Sequence, residues 1–127
     1  MKEPVFISRE MVNGLHQRSL DEHVGLNGIR NENGLESALA QPRNVFFYGH
    51  GDLFDLAAAY AFHLAQNQPF IDGNKRTAIT TALAFLELNG VSSAAIPDAE
   101  LYDAMIAIAE KRLDKEGLAE VFRREIP

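Results

Sequence analysis

Residues 52–88 read "DLFDLAAAYAFHLAQNQPFIDGNKRTAITTALAFLEL", and they decide the fold. Leu53, Leu56, Ala57, Tyr60 and Leu64 recur at helical spacing in a run of strong helix formers. That helix ends before Pro69, because proline disfavours helical geometry in the residue preceding it. After a short turn, Ile79, Ala82, Leu83 and Leu86 fall at i, i+3, i+4 and i+7, which predicts a second helix from about Asn74 to Leu88. Both helices are nearly apolar, so they are expected as a buried central pair.

The flanking sequence continues as helix after helix. Ser8 is placed to N-cap a first helix over 9–22, with Val12, Leu15 and Leu20 on its inner side. Gly25, Gly28 and Gly34 mark an irregular connection. Asn33 is then read as the cap of a short helix over Leu35–Ala40, stopped by Pro42, with "RNVFFYGHG" at 43–51 as an aromatic loop. Beyond the central pair, Gly90 closes the helix and 91–95 reads as a short strand or extended linker. Residues 98–112, with Asp98 as cap, and about 116–124 read as the last two helices. The expectation is an all-α domain of about six helices.

At 127 residues the chain is long enough for one core without staples. Hydrophobic residues at 46% and charged residues at 24% are ordinary globular values and argue against disorder. A formal net charge of −6 argues against direct nucleic-acid binding, which wants a basic face. It leaves room for a nucleotide, which needs only a few local cations. With no cysteine, disulfides and thiolate-zinc sites are excluded. The N-terminus lacks a signal-peptide pattern and no apolar run reaches membrane-spanning length, so the expectation is a soluble cytoplasmic protein with no membrane partner.

The chemistry concentrates in residues 68–80. A helix starting at Asn74 leaves backbone N–H groups unpaired in its first turn, and its dipole favours an anion there. Gly73 lets a ligand approach the backbone closely. Lys75 and Arg76 put two cations where a purely structural helix would carry Asp or Glu. Asp72 is placed to hold Mg²⁺ against phosphate oxygens. Spacing alone also allows a plain turn, with Asp72 as N-cap, Lys75 and Arg76 solvated, and Phe70 in the core. The glycine pattern is not a Walker A loop, since the first Gly is missing and the order is Gly-Asn-Lys.

None of the four histidines has metal-ligand spacing. His16 and His23 are read as solvated or capping residues near a helix end, His50 as a turn residue, and His63 as a hydrogen-bonded core residue.

"NQPFIDGNKRTA" resembles the signature of the Fic/Doc superfamily, His-Pro-Phe-x-[Asp/Glu]-[Gly/Ala]-Asn-[Gly/Lys]-Arg, in its death-on-curing (Doc) branch. The resemblance extends over "GLESALAQP" at 34–42, "DLAAAYAFHLAQN" at 55–67 and "ALAFLELNG" at 82–90. It implies a single Fic/Doc-like helical domain over 1–127 and a toxin of a toxin–antitoxin module. The implied reaction moves the γ-phosphoryl group of ATP, with Mg²⁺, to a threonine of elongation factor Tu and stops translation. The alternative within the superfamily is nucleotidyl transfer, as in Fic proper, and Lys75 argues against it. By position the resemblance assigns Asp72 to Mg²⁺ or phosphate, Gly73 and Asn74 to the anion cradle, and Lys75 and Arg76 to phosphate oxygens. It places the target-aligning flap near 44–51. No [Ser/Thr]-x-x-x-Glu-[Gly/Asn] self-inhibitory segment is present, so control falls to an antitoxin whose disordered tail folds on binding.

Gln68 stands where the family motif has His. Imidazole takes and returns a proton near neutral pH, whereas a carboxamide has no usable basicity. Loss of a general base costs roughly 10²–10⁴-fold in rate. Two explanations compete: a base replaced because the active toxin kills its host, or a homologue that keeps binding without catalysis. The intact run from Asp72 to Arg76 favours the first. His63, upstream of the turn, is a poor substitute base.

Overall fold

The computed structural model describes residues 2–127. Six helices follow in order: α1 Arg9–His23, α2 Glu32–Gly49, α3 Leu53–Asn67, α4 Asn74–Leu88, α5 Asp98–Ala109 and α6 Lys115–Glu125. Among the described residues no strand forms, and one isolated bridge pairs Ile29 with Phe70. The all-α expectation and the central pair therefore hold.

α3 is the axis of the molecule and packs against α2, α4, α5 and α6. Leu56 to Ala61 are all fully buried, because an apolar helix enclosed on every side has no solvent face. The small side chains of Ala57, Ala58 and Ala61 let neighbouring helices approach, while Tyr60, Leu64, Phe85 and Leu86 fill the space between α3 and α4. Each fully buried large side chain contributes about 1.5–3 kcal/mol. The Tyr60 hydroxyl is satisfied inside the core by accepting the Ile7 N–H at 2.8 Å. Burial pushes its pKa up to about 12.

A reciprocal capping box starts α3. Asp52 Oδ1 accepts the Asp55 N–H at 2.9 Å, and Asp55 Oδ2 accepts the Asp52 N–H at 3.0 Å. Arg123 of α6 reaches the same two carboxylates, at 3.0 Å to Asp52 Oδ1 and 2.9 Å to Asp55 Oδ1. The chain start is tied to the far end of α4 by Asn89, whose amide exchanges hydrogen bonds with Val5 N–H and C=O at 2.8 and 2.9 Å.

The limits of α2 and α5 differ from the sequence reading. α2 does not stop at Pro42 but continues to Gly49, so residues 43–49 are helix and not loop. Pro42 forfeits one backbone hydrogen bond, but the buried stripe Leu35, Ala38, Leu39 and Pro42 runs on into half-buried Val45 and Phe46. The α2 cap is Asn31, not Asn33, and its side chain accepts the Gly34 N–H at 2.8 Å. α5 has Pro97 rather than Asp98 at its N-cap and ends at Ala109, where Lys111 turns to positive φ. Segment 91–95 is linker, held by Glu87 Oε1 on the Ser93 N–H at 2.9 Å.

Candidate active site

α3 ends in a left-handed residue, Gln68, with φ 45° and ψ 57°. A non-glycine residue there carries a cost of about 1–2 kcal/mol, so the surroundings must enforce it. They do so from the connection between α1 and α2. Arg30 Nη2 donates to the Gln68 carbonyl at 2.8 Å and to its side-chain Oε1 at 3.2 Å. The backbone N–H groups of Arg30 and Asn31 both donate to the Pro69 carbonyl, at 2.7 and 3.1 Å, and the Ile71 N–H donates to Gly28 C=O at 3.0 Å. Residues 28–31 thus form a brace along the motif loop.

The loop is also held from inside. Phe70 is buried, and its ring stacks on His16 of α1 with centroids 3.8 Å apart and planes 12° apart. His16 Nε2 lies 2.8 Å from the Asp72 carbonyl, which only accepts, so this nitrogen carries the proton. Asn74 closes a two-bond ring with Phe70, accepting its N–H and donating to its C=O, both at 2.9 Å. The solvated or capping reading of His16 is therefore corrected. It lies mid-helix on the face shared by Val12, Ser19 and Leu20, where burial and the Asp72 carbonyl account for it.

The start of α4 is unusual in what it lacks. Its N-cap is Gly73, with φ 80°, and no side chain caps it. Asp72, read above as an ordinary cap in the plain-turn alternative, instead accepts the Leu26 N–H through Oδ2 at 2.8 Å. The first helical bond is Thr77 N–H to Gly73 C=O at 2.9 Å, so the N–H groups of Asn74, Lys75 and Arg76 have no protein acceptor among the described residues. Lys75 and Arg76 are exposed, and neither forms an ion pair among the described residues. A cation in the first turn costs about 0.3–1 kcal/mol against the helix dipole, and here there are two. Both deficits are removed by one anion at this position.

That position opens into a cleft of about 990 Å³ between the start of α4 and α5. Gln68, Asp72, Gly73, Asn74, Lys75 and Arg76 all line it, so the structure brings every residue of the expected site together. Opposite them, α4 and α5 supply an apolar wall that includes Ile79, Leu83, Leu101 and Met105. The size suits a drug-sized or nucleotide-sized ligand. Within the set, the Asn74 side chain is committed to Phe70, so its backbone N–H is what it offers to a ligand.

A divalent metal can be tested against these donors. No group of three or more metal-ligating side chains exists among the described residues. Asp72 Oδ2 is engaged with Leu26, which leaves Oδ1 without a protein donor. One carboxylate oxygen facing a phosphate cradle fits Mg²⁺, which is commonly held by one or two carboxylates together with substrate phosphates.

The expected flap, His50 and His63 lie away from the cleft. Residues 44–51 belong to the end of α2, beside the start of α3, whereas Gln68 caps its other end. Fifteen helical residues separate the two by about 22 Å, so 44–51 cannot be the flap of this cleft. His50 is the exposed left-handed C-cap of α2, in agreement with a turn role. His63 is half-buried, and its Nε2 lies 3.4 Å from Lys115 Nζ. Burial, then the Lys115 charge, holds its pKa down to about 4. His23, at the end of α1, lines the cleft beside Glu22. The role of Arg30 had no signal in the sequence, since nothing local ties it to a residue 38 positions away.

A family model described as the Fic/DOC family matches residues 6–86, which comprise α1 to α3 and most of α4. The chain is 32% identical over 119 residues to the protein kinase doc of Escherichia phage P1, covering 93% of each chain. It is 38% identical over 95 residues to the toxin Doc of Mycolicibacterium smegmatis, covering 72% of each. The matched region carries the braced loop and the uncapped start of α4, and the similarity extends through α5, the other wall of the cleft. The chain belongs to the Fic/DOC family, in its Doc branch.

Proposed function

We propose that the chain is a Doc-type toxin of a toxin–antitoxin module, an ATP-dependent transferase that phosphorylates a protein hydroxyl. The named activities of its relatives, a protein kinase and a toxin, support this reading. The observation that carries it is the start of α4, uncapped and bearing two cations that form no ion pair among the described residues, at the mouth of a nucleotide-sized cleft. The proposed target is a threonine of elongation factor Tu, with arrest of translation in the cytoplasm. An antitoxin partner follows from the toxin reading. No described helix is long and apolar enough to cross a membrane.

Phosphoryl transfer asks a protein mainly for positioning and charge neutralisation. Lys75, Arg76 and the free N–H groups of α4 neutralise and orient the phosphates of ATP. Asp72 Oδ1 would hold Mg²⁺, which supplies further neutralisation of phosphate charge. The apolar wall of α4 and α5 excludes water from one side of the cleft. Gln68 occupies the family's position for a proton acceptor and cannot take a proton, so transfer proceeds without general-base catalysis from this position. The test uses labelled ATP and purified elongation factor Tu. Transfer of γ-label is expected, with Gln68→His measured in parallel. Transfer of α-label instead assigns nucleotidyl transfer, and binding of ATP without transfer in any variant assigns a non-catalytic homologue.

A further inference from the structure

Gln68 is held in a way that a vestigial residue does not require. Arginine has donors only, so the side-chain atom 3.2 Å from Arg30 Nη2 must be the carbonyl oxygen Oε1 of Gln68. The amide flip is thereby fixed, and the –NH₂ group is left with no protein acceptor among the described residues while Gln68 lines the cleft. The same guanidinium nitrogen grips the Gln68 carbonyl at 2.8 Å, locking backbone and side chain together in the left-handed turn. A guanidinium against this side chain matches a neutral acceptor. It opposes a group that must become positive on accepting a proton.

We propose that Gln68 is a working catalytic residue that orients the attacking hydroxyl as a hydrogen-bond donor, with Arg30 as its positioning residue. This rests on the phosphoryl-transfer reading above. The transition state of such transfers is loose, with little bond formation to the nucleophile, so early deprotonation is dispensable and alignment is not. A glutamine amide serves the attacking water in Ras-type GTPases on the same principle. Here the Gln68 N–H donates to one lone pair of the incoming hydroxyl oxygen. The other lone pair attacks the γ-phosphorus, and the bond from that phosphorus to the β–γ bridging oxygen breaks with its electron pair leaving on ADP. The hydroxyl proton passes to a γ-phosphoryl oxygen and from there to solvent. No external base is consumed.

The test compares γ-label transfer to elongation factor Tu by the full chain and by Gln68→Ala, Gln68→Glu, Gln68→His, Arg30→Ala and Arg30→Lys, with thermal melts to confirm folding. Orientation predicts that Gln68→Ala and Arg30→Ala lower kcat roughly 10–10²-fold with KM for ATP unchanged. Arg30→Lys, which keeps a donor to Oε1, recovers part of the loss. Gln68→Glu accepts from Arg30 but has no N–H to offer, so it is as slow as Gln68→Ala. A Gln68→Glu variant faster than the parent would show that basicity is what position 68 lacks, and would overturn the proposal. So would equal rates for Gln68→Ala and the parent beside an active Gln68→His. Absence of transfer by every variant, Gln68→His included, overturns the phosphoryl-transfer reading beneath it.

Discussion

Asn74 and Phe70 hold one another across the turn that joins α3 to α4, with the Asn74 amide accepting one backbone group of Phe70 and donating to the other, each at 2.9 Å. Only a carboxamide of this length supplies both. The pairing sets where α4 begins and therefore where its free N–H groups point.

Asn74→Asp keeps the acceptor for the Phe70 N–H but turns the donor into a second acceptor facing Phe70 C=O. Loss of one bond and the unsatisfied carbonyl predict a destabilisation of about 1–3 kcal/mol in chemical denaturation. Weaker ATP binding accompanies it, because a carboxylate now stands at the anion site.

His16 contributes a ring stack and a hydrogen bond to the same loop, and the two are separable. His16→Phe retains the apolar face against Phe70 and removes the donor to Asp72 C=O. A cost of about 1 kcal/mol is expected from denaturation. Amide exchange should quicken in residues 70–73 more than in α3.

At the opposite end of α3, Asp52 is both N-cap and partner of Arg123. Asp52→Ala removes the cap and one of the Arg123 contacts. A loss of about 1–2 kcal/mol follows from the cap, with the half-exposed ion pair adding less. ATP affinity should not change, since this end lies about 22 Å from the cleft.

His63 makes stability depend on pH in a defined direction. Its pKa falls from the ordinary 6.5 to about 4 in the folded protein, chiefly by burial and then by Lys115. The unfolded chain therefore binds more protons between these values. The contribution of neutral His63 is fully present above about pH 6.5 and is lost as pH falls toward 4. Melting temperatures across that window should decline less in His63→Gln than in the parent.

Much of this was legible in the sequence because it rests on local periodicity. The central pair declared itself through the apolar spacing of Leu56, Tyr60, Leu64, Ala82 and Leu86, all buried as expected. The candidate site was legible because 72–76 is contiguous and its cations are misplaced for a simple helix. Pro42 misled, since a proline inside a helix is tolerable when the apolar stripe continues past it. His16 was recoverable, because Val12, His16 and Leu20 lie four residues apart on one face, and that face is buried. The brace of Arg30 on Gln68 was not recoverable, because it depends on how an irregular segment folds back over a distant turn.

The phosphate site proposed at the start of α4 rests on Lys75 and Arg76. It is tested most directly by titrating the full chain with Mg²⁺-ATP and comparing Lys75→Ala/Arg76→Ala with Arg124→Ala, a cation of α6 outside the cleft. Two lost charge-assisted contacts predict at least a tenfold rise in Kd for the double variant and no change for Arg124→Ala. The double variant should also melt no lower than the parent in the absence of nucleotide, since its cations oppose the helix dipole. Unchanged ATP affinity in the double variant would contradict the account.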